Sequence, residues 1–162
     1  MRTALAASSK LGDDKMKPTI YMDNCCYNRP FDDQQHIVIK LETEAKLQIQ
    51  HDVLLGKYVL IWSFILFYEN DKNPFADRKS QIRLWENAAE HIVTSENTVR
   101  DKAREIMGLG IRAKDALHLA CALIAGTDYF ITTDKKLLNK AIDSITIINP
   151  IDFVRRPQDE SR

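Results

Sequence analysis

The stretch KDALHLACALIAGTDYFITTDKKLL, residues 114–138, predicts a helix, a strand and a second helix in immediate succession. Residues 114–125 are apolar on nearly every side after the first turn, which predicts the most buried helix of the chain. Gly126 ends that helix, residues 129–132 form a strand, and residues 134–141 form a short helix. A buried strand between two helices is typical of an α/β protein.

The same alternation continues towards both ends of the chain. Strands are predicted at residues 18–22, 58–62, 91–94 and 145–148, and helices at residues 36–55, 75–90 and 95–107. Ser63 caps a short helix that carries Glu69, and Ser95 or Thr98 caps the helix at 95–107. Residues 24–35 are rich in turn formers. We therefore predict an α/β fold, a three-layer α/β/α sandwich with a mainly parallel central sheet.

The helix at 36–55 has a recognisable apolar face. Its apolar residues recur at every fourth position, as in an amphipathic helix: Ile37, Leu41, Ala45, Ile49 and Val53. We expect this face to pack on the sheet.

Length and composition are those of one folded domain. The 162 residues are 44% hydrophobic and 28% charged, close to the average for globular proteins. We expect one domain at residues 17–155 and a flexible tail at residues 156–162. Residues 1–16 are expected to be a flexible extension of vector or upstream origin, with Met16 as the native start.

Several classes of protein are excluded by what the sequence lacks. No apolar run reaches the roughly 20 residues of a membrane span. Three cysteines, two of them adjacent, and no CxxC predict no disulfide framework, and the cytoplasm is the expected compartment. There is no G-x-S-x-G, P-loop, G-x-G-x-x-G or HExxH motif. The 23 basic and 23 acidic residues cancel, so no overall charge attracts a polyanion.

Four acids are expected at one edge of the predicted sheet. Asp23 and Asp134 follow strands, Glu69 lies on the helix after the second strand, and Asp115 begins the buried helix. Ligands of open parallel sheets bind at the carboxyl ends of the strands, and hard cations such as Mg²⁺ and Mn²⁺ take oxygen ligands. The alternative is that Asp115 and Asp134 only stabilise the first turns of helices.

Five sequence segments carry a family resemblance in a fixed order: TIYMDNC, SFILFYEN, KDALHLACAL, YFITTDKKLL and IINPIDFV. Together they resemble the PIN-domain family over residues 17–155. The resemblance implies a metal-dependent endoribonuclease, and many members are toxins of toxin-antitoxin pairs. It places the family's acids on Asp23, Glu69, Asp115 and Asp134, and its hydroxyl on Thr132. Asn24-Cys25 departs from the usual hydroxyl residue followed by Asn.

The remaining site predictions concern RNA and histidine. Thr132, Arg29, Arg112 and Lys135 are the predicted RNA-binding residues, although each cation alone is more often a solvated surface group. His118 lies one turn after Asp115 in so apolar a helix that a hydrogen-bonded core histidine is favoured over a metal ligand. No zinc spacing occurs among the histidines.

The predicted function is a ribonuclease that uses Mg²⁺ or Mn²⁺ to hydrolyse RNA phosphodiester bonds. Two alternatives stay open: a metal-dependent phosphatase of another α/β fold, and a catalytically silent PIN-like binding module. The predicted partners are the RNA substrate, an antitoxin protein of a toxin-antitoxin pair, and a second copy in a homodimer, with no membrane.

Overall fold

A computed structural model describes residues 17–157. The five strands in this part of the chain form one sheet. The strands are β1 (Thr19–Met22), β2 (Val59–Ser63), β3 (His91–Val93), β4 (Tyr129–Ile131) and β5 (Thr146–Ile148). Their order is β3-β2-β1-β4-β5, and every neighbouring pair is parallel. The predicted α/β class with a parallel sheet is confirmed.

Eight α-helices surround the sheet in the described part of the chain. They are α1 (Asn24–Asn28), α2 (Ile37–Leu54), α3 (Phe64–Asp71), α4 (Ala76–Ala88), α5 (Asn97–Met107), α6 (Ala113–Ile124), α7 (Lys135–Leu138) and α8 (Pro150–Arg155). A 3₁₀ turn, Arg29–Phe31, follows α1. No helix among residues 17–157 is long and apolar enough to cross a membrane.

The strand order explains why the sheet is covered on both faces. The chain moves outward from β1 through β2 to β3 and then returns to β4 and β5 on the other side of β1. Because crossovers between parallel strands are right-handed, a reversal of direction moves the connecting helices to the opposite face. The helices between β1 and β3 therefore cover one face, and α5 and α6, which pack on each other, cover the second.

Helix α6 is the most buried of the long helices, as predicted. Half of its residues are buried, and five of these are at 0% exposure: Ala116, Leu119, Ala120, Cys121 and Ala122. The small alanine side chains let the helix lie close to the strands. Its position fixes Asp115 at its N-terminal end, at the carboxyl edge of the sheet.

Helix α2 packs differently from the prediction. Ile37 and Leu41 are exposed, whereas Glu42 is 4% exposed and lies on the buried face with Ile49. The buried face of the first turns is polar. Glu42 can be buried there because its carboxylate accepts a hydrogen bond from Asn149 Nδ2 at 2.6 Å. Ala45, Ile49 and Val53 of the predicted face are buried, so the prediction is wrong only for the first turns of the helix.

Three further local predictions were wrong. Residues 24–35 contain α1 and the 3₁₀ turn, because the side chain of Asp23 accepts the Asn24 N–H and caps the helix. Helix α8 was missed, although Asn149 caps it and Pro150 begins it. Helix α5 has no side-chain cap, so neither predicted cap residue acts there. The predicted N-terminal extension and most of the C-terminal tail, residues 1–16 and 158–162, lie outside the described residues.

Gly126 is the left-handed residue that ends α6, with φ +68°. Nothing lies within 4 Å of where a Cβ would be, so an added side chain meets no neighbour. We expect Gly126→Ala to lower the free energy of unfolding by about 1 to 2 kcal/mol through backbone strain alone. Gly126→Asn should recover part of the loss, because Asn adopts this conformation more readily. Urea unfolding of the three proteins measures this, and equal stabilities would contradict it.

Candidate metal centre at the carboxyl edge of the sheet

A cleft of about 640 Å³ lies at the carboxyl edge of the sheet, and all four predicted acids line it. Asp23 follows β1, Glu69 lies on α3, Asp115 is in the first turn of α6, and Asp134 caps α7 after β4. Another cleft, of about 520 Å³, is lined by Pro18, Tyr129 and residues 144–146 at the opposite edge, and Asp128 is its only ionisable residue apart from Tyr129.

Asp23 is held more firmly than any other acid of the cleft. Its side chain is 8% exposed. One oxygen accepts the Asn24 N–H at 2.8 Å, and the other accepts the Thr132 hydroxyl at 2.8 Å and contacts Cys25 Sγ at 3.5 Å. The backbone N–H of Asp23 also donates to Ile131 of β4. These bonds fix the carboxylate at the junction of the two central strands.

Glu69 is tied to Asp23 through two neighbours. His118 Nε2 bonds Glu69 and lies 3.9 Å from Asp23, while Asn24 Nδ2 donates to Glu69 at 3.1 Å. Burial alone would raise the pKa of Glu69, but its hydrogen bond with His118, with help from Lys114 and Asn24, lowers it below its ordinary value. Glu69 is therefore ionised at neutral pH.

Asp115 and Asp134 share one cation, Arg112. Its guanidinium lies 3.6 Å from Asp115 and 3.8 Å from Asp134, and its side chain is 73% exposed. Burial raises the pKa of Asp115, and the negative charges of Asp23 and Asp134 raise it further against the opposing effect of Arg112. Five acids and three cations line the cleft, so its lining is negative overall.

The donor set of the cleft fits a hard divalent cation. The four predicted acids and Asp32 all offer oxygen, the donor that Mg²⁺ and Mn²⁺ prefer. Cys25 is the one thiol of the lining and no histidine lines the cleft, so the donor set is not that of a zinc site. Within residues 17–157, however, no three histidine, cysteine, aspartate or glutamate side chains already stand in position to hold an ion. Arg112 bridges two of the acids, so a bound cation requires its side chain to move away.

A chain of buried hydrogen bonds supports Glu69 from below. Ser63 and Tyr21 hydroxyls lie 2.6 Å apart, and the Tyr21 hydroxyl lies 2.6 Å from His118 Nδ1. One direction satisfies every group: Ser63 donates to Tyr21, Tyr21 donates to Nδ1, and Nε2–H donates to Glu69. Burial raises the pKa of Tyr21, which keeps the donating proton on its hydroxyl.

Sequence reasoning predicted only part of this chain of bonds. His118 is the buried, hydrogen-bonded histidine that was expected. Its link to Glu69 was not expected, because it joins residues 49 positions apart. Tyr21 was assigned to an apolar strand, and Asn24 was noted only as a departure from the family pattern. No local signal in the sequence identifies their hydroxyl and amide partners.

The predicted RNA-binding residues are distributed unevenly. Arg29 and Arg112 line the cleft, and so does Lys114, whereas Lys135 is exposed on α7 and does not line it. Arg29 is paired with Asp32 at 3.0 Å. Thr132 is at 0% exposure and bonds Asp23, so it is placed to orient that carboxylate rather than to meet a ligand directly.

Comparisons with known proteins agree on the type of domain. The family model described as PIN domain matches residues 30–143, which include Glu69, Asp115 and Asp134 but not Asp23. A chain in the crystal structure of VapBC2 from Rickettsia felis bound to a DNA fragment from their promoter is similar in fold, with a TM-score of 0.51 and 13% identity over 81% of this chain and 98% of that one. No curated protein sequence matches.

Replacing Asp115 should not lower the stability of the protein, although Arg112 lies beside its carboxylate. We expect Asp115→Asn, in chelator at neutral pH, to leave the free energy of unfolding unchanged or raise it, because repulsion from Asp23 and Asp134 is removed. Asp152→Asn is the matched control, since Asp152 also stands third in its helix with an arginine three residues away. That variant should lose a few tenths of a kcal/mol. A large loss in Asp115→Asn alone would contradict the expectation.

Thr132 should matter for stability because it satisfies a buried carboxylate. We expect Thr132→Val to lower the free energy of unfolding by about 1 to 3 kcal/mol, the cost of leaving a buried charged acceptor with one bond fewer. Thr132→Ser should keep the hydroxyl and most of the stability. The adjacent Thr133→Val is the control, and equal losses at both positions would show that the bond to Asp23 is not the cause.

Proposed function

The chain belongs to the PIN-domain family, and from that premise we propose that it is a divalent-metal-dependent endoribonuclease. Its metal-binding carboxylates are Asp23, Glu69, Asp115 and Asp134, and its cofactor is Mg²⁺ or Mn²⁺. The substrate is RNA, and the reaction is hydrolysis of a phosphodiester bond.

One observation supports this proposal above the others: acids from four separate elements line one cleft, and their charge is not balanced. Like charges about 4 Å apart repel by roughly 4 kcal/mol at an effective dielectric of 20. A cluster of acids that neighbouring cations do not neutralise is stabilised by a ligand that supplies positive charge. Burial is the main cause of the raised pKa of Asp115, and the negative charges of Asp23 and Asp134 add to it.

The residues around the acids have distinct tasks in the proposed reaction. A bound divalent cation lowers the pKa of a coordinated water and neutralises charge on the phosphate. Thr132 holds Asp23, and His118 holds Glu69, so the two carboxylates keep their orientation. The side chain of Arg112 is exposed, so it would exchange its acids for the phosphodiester backbone when RNA binds.

The proposed products follow from the bond that is broken. Water adds to phosphorus and the 3′ oxygen leaves with a proton, which gives a 5′-phosphate and a 3′-hydroxyl end. Arg29 and Lys114 line the cleft and would steer the backbone, as would Lys135 from the exposed first turn of α7. No covalent intermediate with the protein is needed.

A finer proposal is that the chain is the toxin of a toxin-antitoxin pair and has a small protein partner. The support is the family resemblance and the similar fold of a chain from VapBC2, a complex crystallised with a DNA fragment from their promoter. Co-expression with the product of the adjacent open reading frame tests this. The partner should co-purify with the chain and inhibit its cleavage of RNA, and failure of both would remove the proposal.

The nuclease proposal predicts metal-dependent cleavage of single-stranded RNA. Wild type should cut a labelled RNA with Mg²⁺ or Mn²⁺ and be silenced by chelator. Asp23→Asn and Asp134→Asn should each lose at least about a hundredfold in rate, the lower range for removing one electrostatic catalytic element. Product ends are identified by gel mobility against 5′-phosphate standards.

Lys135→Ala is the control for this experiment, because a single backbone contact should change the rate far less than a lost carboxylate. Cleavage that continues in chelator, or that is equal in the aspartate variants, would show a contaminating metal-independent ribonuclease. If Mn²⁺ binds but no RNA is cut under any metal, the nuclease proposal fails and the phosphatase alternative is tested with small phosphoesters.

A further inference from the structure

The exposed aromatic side chains are concentrated in one short segment. Phe67, Tyr68 and Phe75 are exposed at 43%, 48% and 53%, and they are the only aromatic residues in the described part of the chain that are exposed to this degree. All three lie within nine residues, on α3 and the connection to α4, and Glu69 of the cleft lies among them. Apolar rings left together in solvent mark a surface that meets a ligand.

Each of these rings carries its own cation. Lys72 Nζ lies 4.1 Å from the centroid of Tyr68, the Arg78 guanidinium 4.0 Å from Phe75, and the Arg83 guanidinium 5.4 Å from Phe67. We call these six residues the aromatic strip. Neither Lys72 nor Arg78 forms an ion pair with an acid among residues 17–157. Arg83 is paired with Glu86, so the strip combines exposed aromatic rings with two cations, Lys72 and Arg78, that no acid in this part of the chain pairs with.

The strip is continuous with the acidic cleft at two places. Tyr68 directly precedes Glu69, which lines the cleft. On the other side, Asn73 Nδ2 donates to Oδ1 of Asn28, a cleft residue, at 3.4 Å. The connection between α3 and α4, which carries Phe75, therefore adjoins the cleft.

We propose that the aromatic strip binds the unpaired bases and phosphates of single-stranded RNA next to the cleft. Bases stack on aromatic faces whatever their identity, and lysine or arginine beside the rings meets the backbone. A duplex hides its base faces, so single-stranded RNA is the form that fits. An apolar protein helix fits less well, because it would desolvate a cation at every ring. The inference rests on the proposed nuclease function for the choice of RNA.

The test separates stacking from charge by measuring affinity at several salt concentrations. A fluorescein-labelled 12-nucleotide oligo(U) RNA is titrated with full-length protein in EDTA, where no cleavage interferes, and anisotropy is recorded. Phe75→Ala should weaken binding at least about fivefold, the lower limit for one base-aromatic stack, without changing the salt dependence. Phe75→Trp should restore affinity. Arg78→Ala should flatten the slope of log K against log salt by about 0.7, as for one lost phosphate contact.

Two controls lie at the opposite edge of the sheet. Leu54→Ala removes an exposed apolar side chain at the end of α2, and Arg155→Ala removes a cation on α8 that is more exposed than Arg78. Neither should change the affinity or its salt slope. Three results would each overturn the inference. The first is that wild type fails to bind the RNA, and the second is that the strip variants bind it as tightly as wild type does. The third is that the strip variants weaken binding of a 12-base-pair duplex as much as they weaken binding of oligo(U).

The two proposals fail separately. RNA that binds through the strip but is never cut with any metal removes the nuclease function and leaves the strip. RNA that is cut while every strip variant binds it as well as wild type removes the strip alone. If strip variants instead weaken only a purified partner protein, the surface belongs to that partner and the inference is overturned.

Discussion

Repulsion among carboxylates at one edge of the sheet is the constraint on which the rest of this structure depends. Asp23, Asp115 and Asp134 come from three elements, and the parallel arrangement of β1 and β4 brings their ends together. Different side chains stabilise these acids. The Thr132 hydroxyl donates to Asp23, and Arg112 lies beside both Asp115 and Asp134. The proposed metal binding would relieve this repulsion, because a cation neutralises the charge of the acids.

The buried chain from Ser63 through Tyr21 and His118 to Glu69 shows how the fold supports the cleft. These groups are polar, yet they lie among side chains that are fully buried, so each needs a partner. Ser63 also caps α3 by accepting the Leu66 N–H. One side chain thereby links the beginning of the helix that carries Glu69 to the histidine that orients Glu69.

The two sides of the cleft differ in character. Negative charge is concentrated on the side chains at the strand ends, while the α3 and α4 side presents aromatic rings with cations over them. The overall charge of zero conceals this separation, because 23 acids and 23 basic residues balance only as a sum. The charges nearest to each side decide which ligand approaches it, because exposed charges are largely screened beyond about one Debye length.

The sequence by itself determined the elements whose signal is local. Apolar periodicity identified α6, the strands and the long helix α2, and the order of strands and helices was enough for the parallel α/β class. The positions of Asp23, Asp115 and Asp134 at element ends also placed them at one edge, since parallel strands end together. Tertiary structure alone decided that the first turns of α2 bury Glu42, which bonds Asn149, and that Tyr21, His118 and Glu69 form one chain. Those contacts join residues roughly 50 to over 100 positions apart, and only the packing of the folded chain brings such partners within hydrogen-bonding distance.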